Sequence, residues 1–126
     1  MTIDELYSRF DKLTCLALAI TELDEKPALD HVPNLPPVST VEVAPSLAGL
    51  LAADMAALYI EAEETTTRCL YVLSEAQAAA EALLDAADWL SSSDSRSTER
   101  FFSMSYITAR TFAAARDKLT QESPEG

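Results

Sequence analysis

The chain has 126 residues, the length of one domain, and sets 21 Asp and Glu against 9 Lys and Arg for a net charge of -12. That balance argues against nucleic acid as a direct ligand, which needs a basic face, and equally disfavours an anionic membrane surface. Only two glycines, Gly49 and Gly126, accompany 48% hydrophobic residues, so turn-rich sheets are disfavoured and an all-α fold with a real core is expected.

The first predicted helix covers about 3–25. Thr2-Ile3-Asp4-Glu5 has the spacing of a capping box, in which Thr2 and Glu5 satisfy each other's backbone amides. Asp4 and Glu5 also suit the positive end of the helix dipole. Ile3, Leu6, Tyr7, Phe10, Leu13, Ala17 and Ile20 mark one apolar face. Cys15 lies in an almost wholly apolar run to Ile20, and both it and Cys69 read as buried free thiols. Pro27 stops the helix and biases Lys26 away from helical geometry.

Residues 26–45 hold Pro27, Pro33, Pro36, Pro37 and Pro45 without a glycine, which predicts a semi-stiff extended connection. Pro33-Asn34-Leu35-Pro36 has bare PxxP spacing but no flanking arginine, so it reads as linker. Val38, Val41 and Val43 suit docking on the bundle or a short edge strand. His31, the only histidine, sits in this segment with no neighbours at metal-ligand spacing.

A long helix is expected over about 46–90, with Ser46 or Pro45 at its start. Its seam steps alternately by four and three: Leu51, Met55, Leu58, Ala62, Thr65, Cys69, Val72, Ala76, Ala79, Leu83, Ala86 and Leu90. This is the heptad pattern of a helix packed lengthwise on others, as in a coiled coil. Thr65, Thr66 and Thr67 after Glu63 and Glu64 are the one place where it would break, threonine being a poor helix former. The unshifted phase and the absence of Gly, Pro or Asn favour continuity. Asp54, Glu61, Arg68 and Glu75 repeat every seven residues beside the seam, where neighbour choice is commonly set. Trp89 reads as a core anchor at the helix end, or, if exposed, as a binding hot spot.

Ser91-Ser92-Ser93-Asp94-Ser95 predicts a polar loop with Asp94 or Ser95 capping a last helix over about 96–121. Phe101, Met104 or Ser105, Thr108, Phe112, Ala115 and Leu119 form its inward stripe, widened by Phe102, Tyr106 and Ile107. The architecture expected is a single-domain antiparallel bundle of three long helices, four if the central one breaks. An unbroken rod would leave apolar surface bare and so predicts a homodimer.

Charge is uneven. Residues 42–94 carry ten acidic side chains against Arg68, whereas 95–118 hold Arg96, Arg100, Arg110, Arg116 and Lys118 against Glu99 and Asp117. Chemistry has little to stand on: no Glu-x-x-His pair, no zinc-type spacing, no Gly-rich phosphate loop. No cofactor or metal is expected, and the chain does not read as an enzyme. Small helical-hairpin secretion substrates carry Trp-x-Gly at their turn, but Trp89-Leu90-Ser91 lacks the glycine, so that resemblance is not adopted. No stretch reaches the uninterrupted apolar length of a membrane span, and Met1-Thr2-Ile3-Asp4-Glu5 lacks a basic signal-peptide start. A cytoplasmic protein, or one exported without a cleaved signal, is the expectation.

The function expected is an acidic protein-binding module, acting as adaptor, chaperone or inhibitor on a partner with a basic surface. Its candidate contact residues are Asp54, Glu61, Glu63, Glu64, Glu75, Glu81, Asp85, Asp88 and Trp89, carboxylates that would stand in a basic groove as phosphates do. The alternative is a homo-oligomerisation module with no separate ligand; less favoured is a small-molecule enzyme, which would need a concave pocket holding His31 and at least one carboxylate.

Overall fold

Thr2 starts the first helix as its sequence predicts. The Glu5 amide donates to Thr2 Oγ1 at 3.1 Å, and the Thr2 amide donates to Glu5 Oε2 at 3.3 Å. The computed structural model describes residues 2–23, 40–65, 70–91 and 93–121. These form four helices and no strand: α1 (Ile3–Glu22), α2 (Thr40–Thr65), α3 (Leu70–Asp88) and α4 (Ser95–Gln121).

Side-chain links orient the four. Arg9 Nη1 near the start of α1 meets Glu61 Oε2 near the end of α2 at 2.7 Å. Arg116 Nη1 in the last turns of α4 reaches Asp11 Oδ1 in α1 at 3.2 Å, and Lys118 Nζ reaches Glu75 Oε2 in α3 at 3.7 Å. The Tyr7 hydroxyl donates to the Leu119 carbonyl at 2.9 Å, satisfying one of the acceptors that the end of α4 leaves open. One end of the bundle therefore gathers the start of α1, the end of α2, the start of α3 and the end of α4. Each helix runs antiparallel to the next, and α1 closes the ring by packing on α4.

The central rod favoured by the sequence is broken, and the four-helix alternative expected for a break at Thr65–Thr67 is the one the chain adopts. The chain does not form one helix over 46–90: α2 ends at Thr65, and α3 begins at Leu70 and packs back against α2. The seam is nevertheless the buried face of both. Leu51, Met55, Leu58, Ala62, Val72, Ala76, Leu83 and Ala86 are all buried, with Ala79 and Leu90 partly so. A straight rod of 45 residues would run roughly 65 Å, more than α1 or α4 alone can cover. Folding it back lets one half of the seam cover the other within a single chain. The homodimer expected for an unbroken rod loses its basis with the rod.

Other differences are smaller. The first helix ends at Glu22 rather than near 25, with Leu23 as its cap. The second begins at Thr40, with Glu42 in its first turn, so Pro45 lies inside it and forgoes one backbone donor. Val43 is accordingly helical and half-buried, not part of a strand. Cys15 is exposed, against the expectation of a buried thiol, because it lies opposite the Leu13, Ala17 and Ile20 face. His31, Cys69, Arg68, the PxxP segment and the prolines of the 26–45 connection other than Pro45 lie outside the described residues.

At the centre, the Phe10 and Phe112 rings stack with centroids 5.3 Å apart, joining α1 to α4. Phe101 and Phe102 meet edge to face at 5.2 Å. Thr108 is fully buried, and its hydroxyl lies 2.8 Å from the Met104 carbonyl and 3.2 Å from the Ala79 carbonyl of α3. Buried hydroxyls of Thr14 and Ser105 likewise donate to carbonyls of their own helices. Among the described residues no buried side-chain nitrogen or oxygen lacks a partner.

Candidate interaction surfaces

The sequence places its candidate contact residues on α2, on α3 and just past the end of α3, and the bundle does not join them into one face. Asp54 and Glu61, one heptad apart, lie on the shoulder of α2 beside α1. Glu61 is held by Arg9, while Arg9, Lys12, Leu13 and Asp54 line a shallow surface hollow. Glu63 and Glu64 are exposed in the last turn of α2. Glu75 stands on the α4 side of α3, paired with Lys118.

Glu81, Asp85 and Asp88 do form a unit. Their spacing of four and three puts them on the outward stripe of α3, and all three are exposed. Gln77 Nε2 donates to Glu81 Oε1 at 3.2 Å, one turn earlier on the same stripe. Trp89 follows directly, in the first residue beyond α3. Its side chain is 74% exposed, which overturns the reading as a core anchor: the α3–α4 end is filled by Phe101 and Phe102 instead.

The turn after Trp89 is built from hydroxyls, as the serine run predicts. Asp94 Oδ1 accepts from the Arg96 amide at 3.0 Å and so caps α4. Ser97 ties the loop together, its Oγ accepting from the Ser91 amide at 3.0 Å and donating to the Asp94 carbonyl at 2.7 Å. Arg96 and Arg100 then stand beside Trp89 around a hollow of about 210 Å³. A second open groove of about 330 Å³ lies between α3 and α4, lined by Glu75, Ile107, Arg110, Thr111 and Ala114. Among the described residues no group of three or more His, Cys, Asp or Glu comes together as a metal site would require.

One surface escaped the sequence reading. α2 buries Ala48, Leu51, Met55, Leu58 and Ala62, yet its opposite side shows Leu50, Ala53, Ala57 and Ile60 to solvent. The signal was present in the spacing: steps of three, four and three place these residues on a second stripe. It was masked by the stronger seam beside it. The stretch Glu42–Glu64 is long and apolar enough to cross a membrane by length and composition, although 33% of its most apolar window is buried in the bundle. Asp54 is the one charged residue in its middle, with Glu42 at one end and Glu61, Glu63 and Glu64 at the other.

Compared with known protein families, curated proteins and solved structures, the chain matches none.

Proposed function

We propose that this chain is an acidic helical module that binds another protein, as an adaptor, chaperone or inhibitor, through carboxylates offered to a basic surface. Trp89 carries this reading. An indole 74% exposed, one residue past the Glu81, Asp85 and Asp88 stripe and next to Arg96 and Arg100, contributes nothing comparable to the bundle's own core. Trp is among the residues on which binding energy concentrates at interfaces, and a carboxylate stripe would steer a cationic partner towards it. Among the described residues every buried polar side-chain atom has a partner within the bundle, so the stripe and the indole are available for another molecule.

The test is capture of partners from the native host by the wild-type chain and by two variants, Trp89→Ala and the triple variant Glu81→Gln, Asp85→Asn, Asp88→Asn. The expected result is a partner retained by wild type, weakened by salt and lost by both variants. Identical capture by all three chains would end the proposal.

The rival reading, a homo-oligomerisation module, draws on the exposed Leu50 and Ile60 of α2. Sedimentation across a concentration series separates the two, because a monomer at every concentration eliminates self-assembly as the purpose.

A further inference from the structure

α2 is apolar on two opposite sides. Helices that pack by one face into a globular bundle ordinarily turn a polar face to water. Here the solvent side carries Leu50, 52% exposed, and Ile60, 58% exposed, with Ala53 and Ala57 between them. The steps of three, four and three repeat the heptad spacing of the buried seam, and the stripe runs about 15 Å at 1.5 Å per residue. Large residues at its ends and alanines in its middle make a shallow saddle that another helix can enter closely.

The charges that α2 itself sets around this saddle have one sign, although Arg9 and Lys12 of α1 share a hollow with Asp54 on one side. Asp54 and Glu61 flank it on the α1 side, Glu63 and Glu64 border its far end, and Glu42 lies at its near end. No cation occurs within α2. Glu61 already holds Arg9, whereas Asp54, Glu63 and Glu64 have no ion-pair partner among the described residues.

We propose that the Leu50–Ile60 stripe is the docking seam for a cationic amphipathic helix of a partner protein. That helix would set apolar residues at heptad spacing on Leu50, Ala53, Ala57 and Ile60, and lysines or arginines against Asp54, Glu63 and Glu64. The charges decide the occupant. A second copy seated α2 on α2 would bring no cation, and one seated through its basic α4 would have to overcome a net charge of -12 on each copy. An anionic membrane surface would meet the same repulsion. The inference rests on the protein-binding reading above but uses a different surface from the α3 stripe, so the two can fail separately.

The test uses the full chain and a synthetic three-turn helix with leucines at heptad spacing flanked by lysines. Its controls are a scrambled peptide of equal composition and a version with glutamates in place of the lysines. Binding is followed by fluorescence anisotropy. The leucine-lysine helix is expected to bind, to weaken with salt, and to outbind both controls. Leu50→Gln with Ile60→Gln should weaken it at least about tenfold, since two aliphatic anchors are lost. Asp54→Asn with Glu64→Gln should weaken it and flatten its salt dependence, with the circular dichroism of both variants unchanged. The triple variant of the α3 stripe should leave it unaffected. Equal affinity for the scrambled peptide, or indifference to both α2 variants, would overturn the proposal. So would sensitivity to the α3 variant alone, although the protein-binding reading would then survive. Self-association that Leu50→Gln abolishes, or vesicles of anionic lipid bound more tightly than the helix, would replace the occupant and also overturn it.

Discussion

α2 and α4 are nearly equal in length, 26 and 27 residues, yet they spend their apolar side chains differently. α4 turns Phe101, Phe102, Phe112 and Leu119 inward and keeps a mainly polar outer side, broken by Tyr106 and Ile107, which were expected to widen the inward stripe and are exposed instead. Its orientation in the bundle follows from composition alone, because only one side can be buried without stranding charge. α2 has two sides that could serve, and the bundle uses one. A helix with a single apolar face is specified by its own chain. One with two is specified by the company it keeps, and the spare face is surface that the fold does not need.

That contrast can be broken most severely on the inner sides. Phe112→Ala removes one half of the stacked pair with Phe10 and should cost about 3–5 kcal/mol in urea unfolding. Leu58→Ala on the buried side of α2 should cost about 2–5 kcal/mol. A loss below about 1 kcal/mol at either position would show that the site collapses freely and that the inner face is not the organising one. Tyr7→Phe should cost about 1 kcal/mol, because it removes the donor to the Leu119 carbonyl near the end of α4. Faster amide exchange in the last turn of α4, and none in α2, is the expected signature.

Gly49→Ala sharpens the comparison in the other direction. A methyl at this position meets nothing within 4 Å, so the substitution should stabilise α2 by about 0.5–1 kcal/mol through helix propensity. A lower melting temperature would mean that the backbone there is less helical than described. The smallest effect belongs to the outer stripe: Leu50→Gln with Ile60→Gln should change stability by no more than about 0.5 kcal/mol per site, as for ordinary surface positions. A large loss would show that the stripe is already part of a core.

Much of the fold could be read from residues alone, and the failures share a cause. The capping box at Thr2 and Glu5, the Asp94 cap, the inward faces of α1 and α4 apart from Tyr106 and Ile107, and the described seam positions all depend on local chemistry or on helical period. Period reports which side of a helix is buried, not the direction in which the chain travels. The seam passes Thr65 in phase whether the helix continues or doubles back, so the break between α2 and α3 left no mark on it. Pro45 misled in the opposite way, since a proline suggests a helix start and α2 begins five residues before it.

The candidate surfaces were less legible. Charge identified exposed carboxylates correctly at Glu81, Asp85 and Asp88, but could not say that Glu61 and Glu75 would be engaged by Arg9 and Lys118 from other helices. Those pairs join positions 52 and 43 residues apart, which no local pattern encodes (61 less 9, and 118 less 75). Trp89 failed for a similar reason. Its size argued for the interior, but the space at that end of the bundle is taken by Phe101 and Phe102.

Among the described residues the three cross-helix ion pairs all sit at the pole that gathers the start of α1 and the end of α4, while the opposite pole is laced by Ser91, Asp94 and Ser97. Mobile ions in physiological buffer act over about 8 Å and attenuate exposed pairs far more than neutral hydroxyl contacts. Added electrolyte would therefore slacken the molecule from one pole only, giving a symmetrical-looking bundle a soft end and a firm end that the solvent alone selects.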